Sequence, residues 1–332
     1  MERRDRGCQE RTGAAPRRPS PRGARLVVDL AIALAWHVLP FEDLLSLVRR
    51  AEEQGFPAVF VDGDVSLLPS RGDADVLDGW TLTTTLLSRT RRIQVGSIRL
   101  VHHWNAAKLA QAVATLDRVA PGRLRFLVSI GGQPQDARFG LPLPPPAARI
   151  AWLDETLSAV RALWRGEEVS VRGRFVTLDR ARVRPCPRGL RVEVAGRGPR
   201  LLELVAAHAD VWDMNLPPLP HAVAKASGDL DALCQARGRD PAKIRRSMWV
   251  FTRPGEDPGD PRLHAEFRRL NPWFSAVADE ELPAALVAGP PAACRERFAQ
   301  LARELGLAHP VADLSGLDRD AAQRALDALA PR

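Results

Sequence analysis

The chain of 332 residues is 45% hydrophobic and 27% charged. That is long enough to bury a large core and ordinary for a folded protein, which excludes wholesale disorder, a collagen-like fibre and a polytopic membrane protein. The net charge of +8 is concentrated at the start, where residues 1–25 carry eight arginines against three acids and leave only +3 for the remainder. A polyanion groove needs basic side chains interleaved with aromatics along one face; no later segment has them, so no nucleic acid is expected as a partner.

Residues 1–24, rich in Arg, Pro, Gly, Ser and Ala, read as a disordered tail ahead of one domain over 25–330. The first strand is placed at Leu26–Leu34. Asp29 and His37 interrupt that apolar run, so it reads as a buried strand rather than a signal peptide. The longest apolar run is too short for a bilayer, and no membrane is expected as a partner. Cys8, Cys186, Cys234 and Cys294 lie far apart, indicating neither a zinc site nor a disulfide framework and fitting a reducing cytoplasm.

A helix over Phe41–Gln54 has Leu44, Leu45, Leu47, Val48 and Ala51 on one face and Gly55 as its C-cap. Strand Ala58–Asp62 with helix Asp78–Ser88 follows, then strand Ile93–Leu100 with helix Ala106–Val119. Pro121-Gly122 turns into strand Leu124–Ile130. The Gly- and Pro-rich stretch Gly131–Pro146 is too long for a routine turn and suggests a loop over a site. Helix Ala148–Trp164 and a hairpin at Val169–Leu178 lead to four more units. These are Arg191–Val194 with Pro199–Ala207, Asp210–Met214 with Ala222–Ala236, Ile244–Phe251 with Ala292–Leu305, and Pro310–Leu314 with Arg319–Leu329. Eight alternating pairs predict an α/β fold, a (β/α)8 TIM barrel with insertions after strand 4 and, over Arg253–Gly289, after strand 7.

In such barrels the chemistry sits where the strands end. The strongest local signal there is the run Ala195, Gly196, Arg197, Gly198, Pro199, Arg200. Glycines let backbone approach a ligand, a helix start offers N–H groups to a phosphate, and the arginines add charge; the alternative is a plain turn with solvated arginines. His102, His103, Trp104 and Asn105 follow the third strand. One imidazole lining a pocket is expected, but not a metal held by both, because neighbours on an extended segment point opposite ways. Asn105 is alternatively a helix N-cap. Asp62 and Asp64 are candidates for general acid or base, or for pairing with Arg71 or Arg99. His208 is expected to cap its helix or contact Asp210. With no Ser–His–Asp order, H-E-x-x-H or redox Cys pair, the hard chemistry would fall to a bound cofactor.

These segments resemble the bacterial luciferase-like superfamily of flavin- and deazaflavin-dependent oxidoreductases. The resemblance runs from about Leu26 to Leu329. It is carried by Ala51-Glu52-Glu53-Gln54-Gly55-Phe56, Thr90 to Ser97, Ala114 to Arg118 with Pro121 to Leu124, Arg149 with Glu155 and Leu163-Trp164, Gly196 to Pro199 with Ala206 to Asp210, and Val287 to Pro290. It implies a flavin or coenzyme F420 at the C-terminal mouth, with its phosphate on the backbone of Gly131-Gly132 and of Gly196 to Arg200. It also implies a cis peptide at Ser97–Ile98 behind the ring. Deazaflavin-dependent sugar-phosphate dehydrogenases of the family carry a His after the acid that ends strand two, where this chain has Gly63, and a Glu soon after the strand-four glycines, where it has Gly132 and Gln133. Those departures point toward a reductase of C=C or C=N bonds in a small organic substrate, with F420 as cofactor and Asp62, Asp64 or His102 completing protonation. One alternative is a monooxygenase using reduced FMN and O2, with Trp36, Trp80, Trp104 and Trp212 shielding an intermediate. Another is a cofactor-free binding or structural relative. The Arg-rich, Lys-poor composition resembles proteins of actinobacteria, where F420 is common; a homodimer is allowed for.

Overall fold

A computed structural model describes residues 29–35, 39–61, 63, 77–132 and 134–331. The tail over 1–24, Trp36, His37, Asp62, Asp64 and Gln133 therefore lie outside the described residues. The strands are β1 Ala31–Leu34, β2 Ala58–Val61, β3 Gln94–Leu100, β4 Leu124–Ser129, β5 Val169–Arg172, β6 Thr177–Ala181, β7 Val192–Ala195, β8 Val211–Asp213, β9 Arg245–Pro254, β10 Val287–Gly289 and β11 His309–Asp313. The helices are α1 Phe41–Gln54, α2 Gly79–Arg89, α3 Ala106–Val119, α4 Pro146–Trp164, α5 Pro199–His208, α6 Pro220–Ala236, α7 Pro261–Leu270, α8 Leu282–Ala285, α9 Pro291–Glu304 and α10 Arg319–Leu329.

Strands β9, β11, β1, β2, β3, β4, β7 and β8 pair in that order, all parallel, and the β8–β9 pairing closes them into the predicted barrel. β1, β2 and β7 are buried at every residue, as strands covered on both faces must be. Alternation sends Ala31, Ala33, Ala58, Phe60, Leu127, Ala195 and Val311 inward. The other face joins the helices in the main core, with Ile32, Val59, Val95, Phe126 and Val194. Helix starts are set locally: Asp78, Asn105, Asp260 and Asp318 each accept N–H groups of the helix that follows.

Many residues that carry the family resemblance prove to be staples between distant elements. Glu52 Oε1 accepts the N–H groups of Arg91, Arg92 and Ile93 at 2.8, 2.6 and 3.0 Å, fixing α1 to the turn before β3. Glu155 accepts those of Arg174, Phe175 and Val176, binding α4 to the β5–β6 hairpin. Asp210 Oδ2 accepts from Val192 N and from Arg161.

The insertion after β9 builds its own small core of Leu263, Phe267, Phe274 and Leu282 around Phe251. It returns as β10, an unexpected ninth parallel strand on the edge of β9. Cys234 and Cys294 are free and buried. Cys186 is disulfide-bonded, which corrects the expectation of no disulfide at that position. Sequence spacing reports local pairs, whereas a disulfide needs two sulfurs that folding brings together. Among the described residues no helix is long and apolar enough to cross a membrane.

Candidate active site

β7 delivers its glycine turn to the barrel mouth. Gly196 N–H donates to Asp213 O at 3.0 Å, and Trp212 Nε1 donates to Gly196 O at 2.8 Å, so the turn is fastened to β8. Gly198 has φ +89°, a conformation that side chains resist. α5 begins at Pro199 with no side-chain cap, leaving the N–H groups of its first turn free at the positive end of the helix. Arg200 is exposed. Arg197 is committed elsewhere: its Nη2 donates to Trp273 O at 2.5 Å and its guanidinium lies 5.5 Å from the Phe274 ring centre, tying the turn to the insertion.

Gly131 and Gly132 follow β4 with φ +44° and +115°. A Cβ on Gly131 would strike Leu100, and one on Gly132 would lie 2.7 Å from the Arg149 guanidinium. That buried arginine donates from Nη1 to Pro144 O at 2.7 Å; burial lowers its pKa and Asp136 opposes the shift. The second glycine turn thus presents backbone with a fixed cation behind it.

His102 and His103 are brought together, against the extended geometry expected for them. Val101–His103 forms a 3-10 turn, so the rings meet edge to face at 4.4 Å. His102 Nε2 lies 2.9 Å from Asp136 Oδ2, with both side chains 0% exposed, and His103 Nε2 lies 3.8 Å from the same oxygen. Asp136 was not foreseen; it arrives from the 3-10 segment Pro134–Phe139 of the insertion. The three side chains offer ligand atoms within 4.8 Å of one another, the spacing of a metal site. The 3-10 turn thus removes the extended geometry that kept the two rings from sharing a metal, although Arg149 already faces the carboxylate with positive charge. Full burial makes His102 a pin between turn and insertion rather than a group open to substrate.

Ser97 lies on the helix side of β3, where its Oγ is 2.6 Å from Thr83 Oγ1 and accepts from Arg99 Nη2 at 2.7 Å. Ile98 points inward and is half-buried against the inner core. The peptide between them is trans, correcting the cis bond the resemblance implied; among the described residues the cis bond is Arg184–Pro185. Both residues hold mid-strand register with Phe126 and Leu127, which a trans plane preserves. A Cβ on Gly63 would collide with Ile98 O, so no histidine fits there. Asn105 caps α3, its Oδ1 accepting from Ala107 N and Lys108 N at 3.0 and 3.1 Å. His208 contacts Asp154 at 2.6 Å rather than Asp210.

Sequence reasoning passed over Asp213, the last residue of β8. Alternation turns it into the barrel, level with Ala195 and Ser247. Burial pushes its carboxyl up to about 7 and the charge of Glu193 adds to that, against the N–H of Asn215 and the charge of Arg125. Ser247 Oγ and Trp249 Nε1, on the neighbouring strand, are buried without hydrogen-bond partners. The signal was an acid closing a strand that reads Val-Trp-Asp at the end where barrel chemistry occurs.

A family model described as luciferase-like monooxygenase matches residues 29–265. An F420-dependent glucose-6-phosphate dehydrogenase of Nakamurella multipartita is 30% identical over 209 residues, 58% of this chain and 60% of that protein. A pyrimidine monooxygenase of Allorhizobium ampelinum is 28% identical over 234 residues, 65% of this chain and 61% of that one. The chain thus matches about three fifths of the length of these relatives. The solved structure of an F420-dependent secondary alcohol dehydrogenase with an F420–acetone adduct superposes with TM-score 0.76 at 19% identity, covering 92% of this chain and 98% of that one; this likeness shows the fold. With the family model spanning most of the barrel, the chain belongs to the luciferase-like monooxygenase family.

Proposed function

We propose that the protein is a coenzyme F420-dependent oxidoreductase that reduces an electron-poor C=C or C=N bond of a small organic substrate in the cytoplasm. The observation that carries this reading is the convergence, at one mouth, of an uncapped helix start with a buried acid, Asp213, that keeps its proton to about pH 7. Reduced deazaflavin, when bound, supplies hydride. The donor set fits such a cofactor: the first-turn N–H groups of α5 and the backbone of Gly131-Gly132 suit an anionic tail. Asp213 holds the proton that must balance hydride addition. The backbone of Ile98 leaves position 63 no room for a basic side chain, which favours reduction over alcohol oxidation. The F420-dependent relatives support the cofactor.

The monooxygenase alternative rested on four tryptophans, of which Trp36 lies outside the described residues. Trp212 belongs to the core between sheet and helices, and Trp80 and Trp104 pack against it around Arg99. Titration with oxidised F420 and, separately, with FMN, followed by cofactor fluorescence, tests the reading. Saturation by F420 alone is expected. Saturation by FMN alone, with oxygen uptake, overturns it for the monooxygenase; uptake of neither overturns it for a cofactor-free relative.

A further inference from the structure

The other end of the barrel, where the strands begin, opens into a cavity of about 430 Å³. Five arginines line it: Arg92, Arg125, Arg188, Arg191 and Arg245. Of the three acids on its wall, Glu193 takes a two-pronged ion pair from Arg125, and Asp117 Oδ2 accepts Arg188 N–H at 2.7 Å. The third, Asp29, is one acid against the remaining guanidinium groups. Burial and then the charges of Arg245 and Arg125 depress Arg191, against Asp210 and Glu193. Burial, then Arg125, Arg245 and Arg191, keep His309 neutral down to about 3. Like charges crowded around a void are a cost to the fold that an anion would remove.

We propose that this cavity binds a small phosphate ester, with its phosphate on Arg191, Arg245 and Arg188. Guanidinium forks match phosphate oxygens in pairs, and the volume suits a small molecule. The site sits at the opposite end of the barrel from the mouth and stands whether or not a deazaflavin binds there.

Isothermal titration of the full chain with glycerol 3-phosphate and with inorganic phosphate tests it. Glycerol 3-phosphate should bind saturably and more tightly than phosphate. Its affinity should fall about tenfold or more in Arg191→Ala/Arg245→Ala and stay unchanged in Arg197→Ala. Both floor arginines are exposed, so the double variant keeps its core; Arg245→Gln provides a milder second test with the same expected direction. No saturable heat up to about 10 mM overturns the proposal. So does binding lost in Arg197→Ala and retained in the double variant, which assigns the anion to the start of α5. Equal affinity for both probes overturns the ester and leaves a site for the bare anion.

Discussion

Where the strands end, the buried acid Asp213 keeps its proton to about 7; where they begin, the half-buried base His309 refuses one down to about 3. Burial is the largest cause at both positions. At the acid the Asn215 N–H and Arg125 oppose burial while Glu193 adds to it, whereas at the base Arg125, Arg245 and Arg191 all act with burial. The Arg125–Glu193 ion pair on the inner wall thus acts on both groups. Desolvation alone would neutralise any buried titratable group. The side chains that distant segments bring up thus set the protonation at each end of the barrel.

The largest expected effect is at the acid. Asp213→Asn should lower turnover with F420 and substrate by about 10²–10⁴-fold while leaving the F420 affinity unchanged. Because the acid form is the active one, wild-type kcat should fall as pH rises through about 7, and the variant should lack that limb. A variant that keeps both the rate and the limb breaks the contrast by making Asp213 structural. The same variant should melt higher than wild type at pH 8. A raised folded-state pKa costs stability as pH climbs from the ordinary carboxyl value of 3.8 to about 7.

Next come matched glycines at the two ends. Gly132→Ala must place a Cβ against the Arg149 guanidinium at φ +115°, whereas Gly189→Ala on the floor meets nothing within 4 Å at φ +71°. Urea unfolding should show a loss of about 1–3 kcal/mol for the first and about 1 kcal/mol for the second; equal losses would mean that Arg149 yields freely. At the base, His309→Gln should flatten the acid lability. The unfolded chain takes up a proton below 6.5 and the native one only near 3, so wild-type stability falls as pH drops through that window. Melting temperatures at pH 7, 5 and 4 check it, and an unchanged acid slope would assign the lability elsewhere. The smallest effect is Asn105→Ala, expected to cost about 1 kcal/mol through the lost cap with F420 affinity unaltered. A fall in affinity would show that Asn105 also touches the cofactor.

The barrel itself was legible. The bounds of α3 and α10 were read to the residue, because apolar periodicity and an Asn or Asp cap are local signals. The glycine turn before α5 was legible for the same reason, since positive φ and an uncapped start are properties of adjacent residues. Arg197 was half read: its place in the turn is local, but its partner Trp273 lies 76 residues away. The trans bond at Ser97–Ile98 and the 3-10 turn at His102 went the other way, since strand register and backbone pitch depend on what packs against them.

From the sequence alone follow the alternation of strands and helices, the helix caps, the glycine turns and, through the resemblance, the family. Only the tertiary structure decides that Asp136 meets His102, that Asp213 faces inward beside Glu193, and that five arginines from four segments share one cavity. Secondary structure is set by neighbours along the chain, while burial and electrostatic environment are set by neighbours in space, and here Asp213 and His309 owe their protonation to the latter.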